Sequence, residues 1–147
     1  MKTLRTYNSM IQSDINQVCP AVKGIIGYLS EVYGSIDDCC LFELKVVLNE
    51  LILNAIKHGN RGNADKQVKI VAGLAEADHV FIIVENEGEG FDYQCVMQNM
   101  SEPGSLVDIC DIKETGRGIM IVNNLCDRVK INKKGNKIIA VKRLYRN

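Results

Sequence analysis

A chain of 147 residues can bury one core but is too short for two ordinary domains, so a single domain over residues 1–147 is expected. Its 18 basic and 18 acidic residues cancel, and an apolar share of 46% is that of a globular protein; no run approaches the roughly 20 apolar residues of a membrane span. No apolar stretch follows Lys2 and Arg5 as a signal peptide requires, so a cytoplasmic protein away from membranes is expected. Six cysteines are scattered without a C-x-x-C pair, which argues against a zinc site or a thioredoxin-like motif; in a reducing cytosol they read as small core or half-buried residues.

Residues 4–10 alternate weakly, as an edge strand does. Ser13 or Asp14 can cap a first helix reaching to about Tyr33. Pro20 within it would cost about 3 kcal/mol in a helix interior, so the helix is expected to begin or kink there. Ser35 and Asp38 approximate a capping box for a second helix that runs to about His58 and stops at Gly59. Its core face reads Leu41, Leu44, Leu48, Leu51, Ile52 and Ala55, with a polar stripe opposite. Residues 67–74 and 79–85 read as two strands, 116–127 as a third helix, and 129–132 with 137–145 as a closing hairpin turning at Lys134-Gly135-Asn136. Helices and strands in this arrangement suggest a two-layer α/β sandwich.

Three segments carry chemistry. In the second helix Glu50, Asn54 and Lys57 or His58 stand one turn apart, so a carboxylate, an amide and a cation share a face. That stripe is either a wet face or a site able to activate a hydroxyl and ligate Mg²⁺; His58 also reads as a cap of the helix end. Asn86-Glu87-Gly88-Glu89-Gly90 follows a strand, and Thr115-Gly116-Arg117-Gly118 opens an apolar helix, where free N–H groups and the dipole favour phosphate. Taken singly, each glycine segment is equally a turn and a helix entry.

In their order these motifs resemble those of the GHKL ATPases: an N-box over Glu50 to Gly59, a D-x-G-x-G adenine loop over Asn86 to Gly90, and a G-x-G phosphate motif at Gly116-Arg117-Gly118. The stretches 116–129 and 135–144 are most similar to the anti-sigma factor serine/threonine kinases of the RsbW and SpoIIAB type. The resemblance implies a Bergerat fold, with helices on one face of a mixed, mostly antiparallel sheet, and ATP with Mg²⁺ as cofactors. It implies Glu50 as general base and Asn54 as metal ligand, with Lys57 near a phosphate and Asn86 on the adenine. Gly88, Gly90, Gly116 and Gly118 would be close-approach positions, Thr115 and Arg117 would belong to the phosphate motif, and residues 92–115 would form a lid. Asn86 departs from the family, which carries aspartate there; a neutral hydrogen bond in place of a charged one implies roughly tenfold weaker ATP binding.

The implied function is an ATP-dependent serine/threonine kinase that phosphorylates an anti-sigma factor antagonist and sequesters a sigma factor, working as a homodimer. Two other readings are a nucleotide-poor regulator that only binds partners and, more weakly, the catalytic domain of a sensor histidine kinase. Charge is uneven along the chain. Lys113 is the only basic residue from 76 to 114, whereas 128–147 holds eight basic residues and no acid. The basic residues alternate with Val129, Ile131, Ile138 and Val141 in a strand pattern without aromatic platforms, which favours protein partners over nucleic acid.

Overall fold

The computed structural model describes residues 5–76, 78–88 and 114–147, the last segment with side chains from residue 118 onward. Gly90 and residues 92–113 of the expected lid lie outside the described residues, and its last two positions belong to the third helix. Strands β1 (Thr6–Gln12), β2 (Gln67–Ala75), β3 (His79–Asn86), β4 (Arg128–Ile131) and β5 (Lys137–Arg143) form a sheet in the order β1-β2-β3-β5-β4, with every pairing antiparallel. Alternation along the strands decides which face is covered. Val68, Ile70 and Ala72 of β2 and Val80, Ile82 and Val84 of β3 are buried, and register puts Ile138 and Ala140 of β5 beside them. Helices α1 (Val18–Tyr33), α2 (Asp38–Asn54) and α3 (Glu114–Leu125) supply the rest of this core, making the expected two-layer sandwich.

Pro20 neither starts nor kinks α1. A short 3₁₀ turn, Ile15–Gln17, leads in, with Asp14 accepting from the Asn16 N–H at 2.9 Å, and the helix begins at Val18. Pro20 therefore sits in the first turn, where its missing N–H needs no partner. Helix α2 is capped by Asp37, whose Oδ2 accepts from the Cys40 N–H at 3.2 Å, and not by the expected Ser35 and Asp38 pair. Leu44, Leu48, Leu51 and Ile52 are fully buried, each contributing about 1.5–3 kcal/mol, while Leu41 is half-buried at the core's edge. Beyond Asn54 the helix does not stay regular: Ala55–Gly59 forms one π turn, closed by Asn60 N–H to the Ala55 carbonyl at 2.8 Å.

Two groups of side chains depart from the sequence reading. Cys19 and Cys39 are exposed, Cys40 is buried and Cys126 is half-buried; the remaining two cysteines are outside the described residues. Lys142 does not face solvent. It stands on the core face of β5, and its ammonium donates to Glu43 Oε2 of α2 at 2.7 Å and to the Leu125 carbonyl at the end of α3 at 2.8 Å. One buried cation thus fastens β5, α2 and α3 together. The Glu43 side chain is 42% exposed and that of Lys142 only 8%, so removing either partner has unequal cost. Glu43→Ala strands a buried ammonium and is expected to destabilise by about 3 kcal/mol; Lys142→Met leaves a carboxylate that water can reach and costs about 1 kcal/mol. Urea unfolding with unchanged m-values measures both, and the opposite ranking would refute this account.

Burial pushes the Cys126 thiol from its ordinary value near 9 up to about 11; nearby Lys142 opposes the shift, and Asp127 and Glu43 add to it. The neutral thiol is the folded form, so its stabilising contribution is present below pH 9 and disappears as pH rises through about 11. At pH 8 iodoacetamide is expected to label Cys126 more slowly than Cys19 or Cys39, because the thiolate is the reacting species. Peptide mapping of partly labelled protein reads the order.

Candidate functional site

The stripe on α2 does not face water; it faces α3. Glu50 is half-buried and Asn54 is buried at 4% exposure. A Cβ at position 118 would collide with Glu50 Oε2 and would lie 3.5 Å from Asn54 Nδ2, so glycine leaves the room in which the Glu50 carboxylate lies against α3. Among the described residues, Asn54 Nδ2 is the one buried side-chain polar atom without a hydrogen-bond partner. A buried amide nitrogen left unpaired costs about 1–3 kcal/mol, so it marks a place built for a group that arrives from outside. Because an amide can turn end for end, the same side chain can offer its oxygen to a hard cation or its N–H to an anion.

Helix α3 begins at Glu114, two residues ahead of Gly116. The first four N–H groups of a helix, counted from its cap, have no acceptor within it, so those of Thr115 and Gly116 are free to meet an anion, whereas the N–H groups of Arg117 and Gly118 are taken up by the helix. Gly118 is thus a contact position for the Glu50 carboxylate, distinct from the N–H donors before it. The side chains of Thr115 and Arg117 lie outside the described residues.

The π turn builds the other wall. Within this turn Lys57 is exposed and His58 half-buried. Gly59 then packs against the end of β3, where a Cβ would lie 2.5–2.6 Å from the end of the Asn86 amide. A Cβ on Gly88 would in turn collide with the Gly59 carbonyl. Asn86 ends β3 on the helix side of the sheet, 4% exposed. The amide orientation that satisfies both neighbours has its nitrogen donating to the Asn136 carbonyl at 3.1 Å and its oxygen accepting from the Gly88 N–H at 3.1 Å.

Two residues that the motifs did not single out hold this wall in place. Asn60, 1% exposed, donates to Ser13 Oγ at 2.8 Å and to the Gln67 carbonyl at 3.0 Å, and accepts from the Gly88 N–H at 2.8 Å. It ties the end of the π turn to the end of β1, the start of β2 and the glycine loop. Asn136, in the turn between β4 and β5, donates to the Asn86 carbonyl at 3.3 Å, and its own carbonyl accepts the Asn86 N–H at 2.9 Å. The available signal was the clustering of asparagines at turn positions, which suits their short amide to bridging backbone groups. A separate groove of about 490 Å³ between α1 and α2, lined by Cys19, Val22, Lys23, Ile26, Gly27, Lys45 and Asn49, shares none of these residues.

Comparison with known proteins agrees with this geometry. The serine-protein kinase RsbW of Oceanobacillus iheyensis is 31% identical over 111 residues, covering 76% of this chain and 66% of that protein, so the chain matches just under two thirds of that relative's length. RsbW of Bacillus subtilis is 26% identical over 122 residues, covering 82% and 71%. The solved structure of the mycobacterial sensor histidine kinase MprB superposes with a TM-score of 0.54 at 12% identity, covering 99% of this chain and all of that one, which shows a shared fold. Residues 13–142, nearly the whole described domain and every site residue above, match one family along their length: the chain belongs to the histidine kinase-like ATPase domain family.

Proposed function

We propose that the chain is an ATP-dependent serine/threonine protein kinase that phosphorylates an anti-sigma factor antagonist and sequesters a sigma factor. The observation that carries this reading is the orphaned Asn54 amide, buried beside the Glu50 carboxylate where Gly118 of α3 lies against α2. The names of the RsbW relatives support the kinase chemistry. Glu50 accepts the proton of a partner's hydroxyl as that oxygen becomes the nucleophile. Asn54 would hold Mg²⁺ through its amide oxygen, and the ion, when bound, offsets the charge of the phosphates. The N–H groups of Thr115 and Gly116 receive phosphate oxygens with Arg117 beside them in the phosphate motif, Asn86 meets the base, and Gly88 gives the close approach. Gly90 and the lid are proposed on the resemblance alone, as is a homodimer. No described helix is long and apolar enough to cross a membrane.

Phosphoryl transfer depends on positioning and charge neutralisation more than on covalent chemistry, so these groups suffice without a nucleophile of the chain's own. Mg-ATP at about a hundred times its dissociation constant is expected to add about 2.7 kcal/mol, raising the melting temperature by about 5–10 °C. Calorimetry with and without Mg²⁺ checks this; an unmoved melting temperature at millimolar nucleotide would leave the partner-binding regulator as the better reading.

Glu50→Gln keeps the shape of the side chain and loses the base. It is expected to preserve the nucleotide-induced melting shift while slowing transfer to a copurified antagonist about a hundredfold or more. Asn54→Ala is expected to lose the Mg²⁺-dependent part of the shift. Transfer at the wild-type rate by the Glu50 variant would remove Glu50 from the chemistry.

A further inference from the structure

The residue at position 86 is fitted to its surroundings as an amide. With its nitrogen toward the Asn136 carbonyl at 3.1 Å the Asn86 amide suits both neighbours, its oxygen lying 3.1 Å from a Gly88 N–H that it shares with Asn60 Oδ1; turned over, oxygen would face oxygen and N–H would face N–H. Both contacts are held from behind. Gly88 is fixed by Asn60 Oδ1 at 2.8 Å, and Asn136 by Asn132, whose Nδ2 donates to Asn136 Oδ1 at 2.7 Å while its Oδ1 accepts from the N–H groups of Gly135, Asn136 and Lys137 at 2.9, 3.1 and 3.2 Å. A carboxylate at this position would put a negative oxygen against the Asn136 carbonyl. These contacts therefore suit an amide at position 86.

An amide has two N–H donors and two lone pairs, and these neighbours use one of each. One N–H and one lone pair remain, in an orientation the neighbours dictate. A carboxylate offers acceptors only, so it rewards the 6-amino group of adenine and repels a 6-oxo group. The Asn86 amide has a donor to give as well. We propose that Asn86 determines purine specificity, and that the site takes 6-oxopurine nucleoside triphosphates as well as ATP. This deepens the nucleotide-binding reading above and rests on it.

The probes are ATP, inosine triphosphate and CTP, each with Mg²⁺, titrated calorimetrically into the full chain. Inosine triphosphate has adenine's outline with oxygen at position 6 and a proton on N1, so it isolates the contact; CTP shares the triphosphate and reports what the phosphates contribute alone. Inosine triphosphate is expected to bind within about thirtyfold of ATP, and CTP at least about thirtyfold more weakly than either, since a site built to hydrogen-bond a group discriminates steeply against its absence. Asn86→Asp, where it folds, is expected to widen the gap between ATP and inosine triphosphate by about tenfold or more. ATP binding with inosine triphosphate beyond thirtyfold weaker overturns the specificity inference and leaves the nucleotide site standing. CTP as tight as ATP shows that the base is not read and overturns it too. Failure of all three overturns the nucleotide reading itself, and this inference with it.

Discussion

The distance between α2 and α3 governs the rest of the site. Glycine at position 118 removes the atom that would strike Glu50, and the buried bond from Lys142 to Glu43 and the Leu125 carbonyl holds the same two helices at their other end. Between these two fixed points the helices enclose a carboxylate and an unpaired amide. Wider spacing would let water reach both groups, and the stripe on α2 would become the wet face that its residue types equally suit. The surroundings of Glu50 and Asn54 are thus shaped by a neighbour that contributes no side chain at the contact.

Much of the fold was legible because it rests on periodicity. The alternation of β2 and β3 and the apolar face of α2 over Leu44, Leu48, Leu51 and Ile52 follow from burial, which acts residue by residue and leaves its mark in the pattern. The motif residues were equally legible, through their order along the chain. What escaped depended on partners distant in sequence. Lys142 lies in a run of basic residues that reads as a solvated strand, and only its separation from Glu43 by nearly two thirds of the chain, closed by the fold, makes it a core residue. The cap on α2 moved from Ser35 to Asp37 because the chain before the helix is drawn away by Tyr145, whose carbonyl takes the Asp37 N–H at 2.7 Å.

The asparagines show the same limit from the other side. Asn60, Asn86, Asn132 and Asn136 each read as turn residues, yet together they carry hydrogen bonds from the end of the helical layer, through the glycine loop, to the far hairpin. An amide is suited to such a chain because it donates and accepts at once and carries no charge to desolvate. Aspartate at position 60 would leave the Gln67 carbonyl without the donor it has now. The base wall is consequently a property of the whole set, in which the identity of one member constrains the others.

The π turn from Ala55 to Gly59 is in effect a residue inserted into a helix that would otherwise run straight into the loop. Deleting any one of those five residues would restore regular winding and add strength to the helix. It would also swing Asn60 about a quarter of the way around the axis, away from Gly88, and separate the wall that carries Asn86 from the wall that holds the carboxylate. The two walls are therefore synchronised by an irregularity, and a sequence redesigned for the most regular helix would be more stable at this point and lose their juxtaposition.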